Sequence, residues 1–163
     1  MAARILDGKA LAAAVRASVK ETVARLAARG VRPGLAVILA GDHPASAVYV
    51  RNKVRACEET GVRSEVHRYD GDVTERALLD RIAALNSDPA VHGILVQLPL
   101  PGRIDARRVL EAVAPAKDID GFHLDNLGAL VAGQPKFVPC TPAAVMRMNS
   151  ALACSSATLV APA

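Results

Sequence analysis

The chain has 163 residues, of which 52% are hydrophobic but only 2% aromatic, and its formal net charge is +4. That length suits one domain whose core is built from Ala, Val, Leu and Ile. Its 20 basic residues are scattered among 16 acidic ones, with no basic run interleaved with aromatics, which argues against a nucleic-acid partner; no apolar run approaches the ~20 residues of a membrane span.

Asp7 is placed to cap a helix from about Gly8 to Arg29, with Leu11, Val15, Val19, Val23 and Leu26 at helical spacing and Gly30 ending the run. Arg32-Pro33-Gly34 is a turn. Leu35 to Ala40 is continuously apolar, which predicts a strand buried on both faces. A second helix follows from Pro44, with Asp42 as its expected cap and Gly61 as its left-handed stop. Its buried stripe is Val50, Val54 and Cys57. Val62 to Tyr69 reads as a more polar strand nearer a sheet edge. Thr74 caps a helix carrying Leu78, Leu79, Ile82 and Leu85, broken by Asn86 to Pro89. Gly93 to Leu98 is a third strand, run straight into Pro99-Leu100-Pro101. Asp105 caps a short helix through Val113. Asn126 to Lys136 reads as loop with a short apolar piece, and Thr141-Pro142 as the cap and first turn of a last helix. After Met148 the pattern lapses into small, uncharged residues.

Strands and helices alternate three times, which predicts an α/β fold with a parallel sheet and helices on both faces. Ligands of such sheets bind beyond the carboxyl ends of the strands. Tyr49 and Lys53 are four residues apart and share a helix face at the edge of the buried stripe. In one reading Lys53 snorkels and Tyr49 is packing. In the other, Tyr49 is an aromatic platform and Lys53 a catalytic amine. A free lysine is almost wholly protonated at neutral pH, so a basic Lys53 needs burial or a nearby cation. Arg51 and Arg55 point elsewhere on the helix, leaving that task to burial or to another segment. Gln97 is a polar residue in an apolar strand, either satisfied by nearby backbone or orienting a ligand or catalytic partner. Asp120-Gly121 is turn chemistry, or else a carboxylate aimed at a ligand's N–H groups. Cys57, Cys140 and Cys154 form no C-x-x-C pair, and with the four histidines they give no metal spacing. Their odd number points to reduced thiols in the cytoplasm. Arg4, Asp7 and Lys9 argue against a secretory signal.

Four motifs carry a resemblance. They are Pro44-Ala45-Ser46 with Tyr49, Val50, Lys53, Cys57-Glu58-Glu59 and Gly61; Gly93 to Pro101; Lys117 to Phe122; and Pro139-Cys140-Thr141-Pro142. Together the residues up to about Met148 resemble the bifunctional methylenetetrahydrofolate dehydrogenase/methenyltetrahydrofolate cyclohydrolase enzymes. That resemblance implies a three-layer catalytic domain over residues 1–148, with 149–163 a divergent tail. It implies interconversion of methylene-, methenyl- and formyl-tetrahydrofolate in one-carbon metabolism. Lys53 would be the catalytic amine, tuned by Gln97. Tyr49 would stack on the folate, Asp120 would hold the pterin's amino-pyrimidine edge, and Val96, Leu98 and Pro99 would line the substrate. Intact members carry NADP or NAD on a second, dinucleotide-binding domain and are commonly homodimers. No G-x-G-x-x-G fingerprint occurs in this chain. The expectation is therefore a folate-site domain with no cofactor of its own and at most residual cyclohydrolase activity, or a non-catalytic folate-binding module.

Overall fold

The structure, a computed structural model, describes residues 6–157. Asp7 opens α1 (Gly8–Ala27) by accepting from the backbone N–H groups of Lys9 and Ala10. β1 (Gly34–Ala40), α2 (Pro44–Thr60), β2 (Arg63–Tyr69), α3 (Glu75–Ser87) and β3 (Gly93–Gln97) follow, in the alternation the sequence predicts. The start of α2 differs from expectation. His43, not Asp42, holds the cap position, and no side chain caps the helix. Pro44 in the first turn removes one of the N–H groups that would have needed a cap. Gly61 closes α2 at φ 82°, a conformation that glycine adopts without a Cβ penalty.

The three strands are parallel, in the order β2-β1-β3. β1 is central, pairing through Gly34–Ala40 with Arg63–Tyr69 and through Leu35–Leu39 with Gly93–Gln97. Both its faces are covered, which is why it is apolar throughout. Ala36, Ile38 and Ala40 enter a core with Leu78, Ile82 and Leu85 of α3 and Val109 of α4 (Ala106–Glu111). Val37 and Leu39 pack on the other face with Leu95 and with Val50 of α2. α1 lies on the α2 side, tied by an ion pair between Arg16 and Glu59 at 3.3 Å. The result is three layers, with the polar β2 at an edge as its composition requires.

The carboxyl-terminal third departs further from the sequence reading. The loop expected over Asn126–Lys136 contains α5 (Leu124–Val131). Its cap is His123, whose Nδ1 accepts from the Asp125 N–H at 3.0 Å. Histidine is an unusual cap and Gly128 lies mid-helix, so the local signals were poor. α6 (Cys140–Ala157) begins at Cys140 rather than after Thr141, and continues past Met148. Alanine is the best helix former, so a run of small residues can stay helical without an amphipathic stripe. Residues 158–163 of the expected tail lie outside the described residues.

Gly93 is where the next layer attaches. A Cβ there would lie 2.5 Å from Ile119 Cγ2, and Ile119 is β-branched and stiff. Gly93→Ala must therefore push Ile119 off β3. A loss of about 1–3 kcal/mol is expected, read as a lower urea midpoint at unchanged m-value.

Candidate active site

Side chains along β3 alternate between faces. Ile94 and Val96 face α3, and Leu95 faces α2, so Gln97 also faces α2. Lys53 meets it there: its Nζ donates to Gln97 Oε1 at 3.3 Å. The other end of the amide is committed to the main chain, where Nε2 donates to the Leu98 carbonyl at 2.7 Å. The buried Ser46 Oγ donates to the same carbonyl at 3.4 Å. The backbone contact thus fixes which end of the amide Lys53 sees. Arg55 turns away to Glu59, 3.1 Å off.

A cleft of about 870 Å³ opens at this point, lined by Tyr49, Lys53, Gln97, Asp120, Phe122 and Cys140 among others. It does not stop at the carboxyl end of β3 but runs along its α2 side as far as Leu35 and Cys57. That is geometrically open because, among the described residues, β3 has a strand partner on one side only. On its other side the contact is a single bridge, Ile94 with Asp118, in which the Ile94 N–H donates to the Lys117 carbonyl at 2.7 Å. Lys117 is itself pinned, its Nζ donating to the carbonyls of Leu85 and Asp88 at 2.9 and 2.7 Å. It adds a second donor to carbonyls at the end of α3 that also accept the N–H groups of Asp88 and Val91.

From this anchored turn Asp120 enters the cleft, half-buried. Burial pushes its carboxyl above the ordinary carboxylate range. The Lys53 charge opposes that rise and the nearby Asp118 adds to it. The Cys140 thiol, 3.9 Å from Asp120 Oδ1, favours the ionised form slightly.

A family model described as tetrahydrofolate dehydrogenase/cyclohydrolase, catalytic domain, matches residues 6–120. The chain belongs to this family. It is 57% identical over 148 residues to a protein of Polaromonas naphthalenivorans named bifunctional protein FolD, covering 91% of this chain and 53% of that one. Among solved structures, it superposes on the bifunctional methylenetetrahydrofolate dehydrogenase/cyclohydrolase of Campylobacter jejuni with TM-score 0.90 and 47% identity, covering 93% of this chain and 54% of the other. The Trypanosoma brucei dehydrogenase-cyclohydrolase, solved with NADP cofactor and an inhibitor, gives TM-score 0.88 at 39% identity, over 94% and 52% of the two chains. The chain spans about half the length of the curated relatives it matches.

Of the residues singled out in the sequence, Tyr49, Lys53, Gln97, Leu98 and Asp120 all line the one cleft of this family member. Val96 borders it, but its side chain is buried in the α3-side core, so only its main chain faces a ligand. Pro99 follows a cis peptide after Leu98 and is not in the wall. The sequence sets Phe122 and Cys140 in shared motifs but gives neither a place in the site. A signal for Phe122 existed, since the chain has only four Phe and Tyr residues and two of them rim this cleft. Cys140 was masked by Thr141-Pro142, which drew attention as a helix start.

Burial, and then the negative charge of Asp120, raise the Cys140 thiol above its ordinary pKa, against a smaller pull from Lys53. Alkylation of Cys140 by iodoacetamide is therefore expected to be slow at neutral pH and to climb with pH. A folate bound in the cleft should protect it. Peptide-resolved mass spectrometry checks both.

A pyrophosphate-binding turn needs free backbone N–H groups and close approach. The turn after β1 is Gly41-Asp42-His43-Pro44, that after β2 contains Asp70-Gly71-Asp72, and that after β3 is Leu98-Pro99-Leu100-Pro101. Acidic side chains or missing donors disqualify each. Among the described residues, none of these three turns offers a glycine-rich cradle for a pyrophosphate.

Proposed function

We propose that the cleft binds tetrahydrofolate derivatives and that the chain hydrolyses 5,10-methenyltetrahydrofolate to the formyl derivative. The observation that carries this is the 3.3 Å contact of Lys53 with Gln97 inside a cleft shared with Asp120 and Tyr49. In the reaction, water adds to the methenyl carbon, one ring C–N bond then breaks, and a proton is released. In this reading Lys53 passes protons between that water and the departing nitrogen, and the Gln97 carbonyl keeps the amine aimed. Asp120 offers two oxygens to the paired N–H groups of the amino-pyrimidine. Tyr49, 63% exposed, offers its ring face to the folate. The NADP-dependent dehydrogenase activity expected of the intact family is assigned to none of these residues.

A second reading, a folate-binding module without turnover, is favoured by the exposure of Tyr49 and of Phe122, 40% accessible. A rim that open excludes water poorly. Loss of methenyltetrahydrofolate absorbance separates the two. The purified chain should accelerate hydrolysis over buffer in proportion to its concentration and saturably with substrate. Binding without acceleration supports the second reading, and neither binding nor acceleration overturns both.

A further inference from the structure

Asp118 is 5% exposed and does not line the cleft. Its two oxygens accept three hydrogen bonds. Oδ1 takes the Gly121 N–H at 3.1 Å, and Oδ2 takes the His123 N–H and Asn126 Nδ2, each at 2.9 Å. Asn126, 1% exposed, also donates to the Pro115 carbonyl at 3.0 Å. No ion pair reaches Asp118 among the described residues. A buried carboxylate without a counter-ion is costly, and this one also repels Asp120 two residues on. The three donors offset that cost, and they also tie residues 121, 123 and 126 back onto one carboxylate.

Asp120 is held from both sides. On one side the turn is held to β3 through Lys117 and Ile94. On the other, Gly121 and His123 are drawn back onto the Asp118 side chain. Gly121 sits at φ 68°, and a Cβ there would lie 3.2 Å from Pro139 N. The bare backbone at Gly121 thus lets the turn close on Pro139 and bring Cys140 beside Asp120. We infer that Asp118 is a positioning residue, which winds residues 118–123 around its own carboxylate so that Asp120 is aimed into the cleft. This rests on the reading of Asp120 as the group that grips the folate.

Asp118→Asn keeps the shape but turns one acceptor into a donor facing N–H groups. Amide hydrogen exchange in the variant should speed up about tenfold or more at Gly121 and His123, with β1 and β3 unchanged. The Kd for tetrahydrofolate should weaken about tenfold, and no further loss should appear when the same change is made in an Asp120→Asn background. Asn126→Ala, which removes one donor and leaves Asp118 intact, should show the same local pattern at smaller size, and it serves if Asp118→Asn fails to fold. Unchanged exchange, exchange accelerated across the whole sheet, or an equal affinity loss with and without Asp120 would overturn the inference. A wild-type chain that binds no tetrahydrofolate defeats the folate reading instead, and exchange at Gly121 and His123 then decides on Asp118 by itself.

Discussion

Lys53→Met is expected to slow methenyltetrahydrofolate hydrolysis by roughly two to four orders of magnitude, the usual worth of a positioned acid–base group. Methionine keeps an unbranched stem of similar length and lacks the amine, so the packing of α2 against the sheet should survive. Tyr49 and Asp120, the proposed folate contacts, remain in the cleft. The loss should therefore fall on kcat, with KM little changed. Initial rates at several substrate concentrations check this, and equal rates for the two proteins would remove Lys53 from the chemistry. Gln97→Leu should lose less, because the amine is still present but no longer held by the 3.3 Å contact.

The second large effect is at Asp120. Hydrogen bonds to a charged acceptor contribute about 1.5–3 kcal/mol each. Asp120→Asn should thus weaken tetrahydrofolate binding by at least tenfold. The pH dependence follows from the direction of its shift. Burial raises the Asp120 pKa, and the amino-pyrimidine edge needs the ionised carboxylate. Wild-type affinity should rise as pH climbs through that raised value and then level off. The Asn variant should show no such rise. Stability runs the other way. The folded chain holds this proton more tightly than the unfolded chain, so native stability falls between the ordinary carboxylate pKa and the raised one, and the cost is complete above it. At neutral pH Asp120→Asn should be as stable as the wild type or more so, while at about pH 3, below the ordinary carboxylate pKa, the difference should vanish. Urea denaturation at both values, alongside binding titrations, tests the opposed signs. A variant that lost stability and affinity together would show that Asp120 serves the fold.

The first hundred residues were legible because each segment carries its own signal. Leu35–Ala40 is apolar on both faces, Thr74 caps α3 as its hydroxyl predicts, accepting the Ala77 N–H at 3.2 Å, and β2 is polar because it sits at the edge. Tyr49 and Lys53 could be singled out because helical spacing puts them on one face, and Gln97 because it is polar in an apolar strand; their expected roles came from the family resemblance. What could not be read was how the later turns fold back. Asp118 looks like any turn aspartate in the sequence, and its three donors come from residues up to eight positions away. α5 hid behind a histidine cap and a central glycine. Cys140 reaches Asp120 only because Gly121 lets two backbones approach. These are tertiary facts, and no local pattern encodes them.

The scarcity of aromatic rings leaves this protein with an optical label of its own. There is no tryptophan to collect excitation, so ultraviolet emission comes from Tyr49 and Tyr69. Tyr69 is tethered at its hydroxyl by Arg81, 3.2 Å away, while Tyr49 stands open at the mouth of the cleft. A ring system settling on Tyr49 should quench its share of the signal and leave the other untouched, so occupancy could be followed by fluorescence without any attached dye.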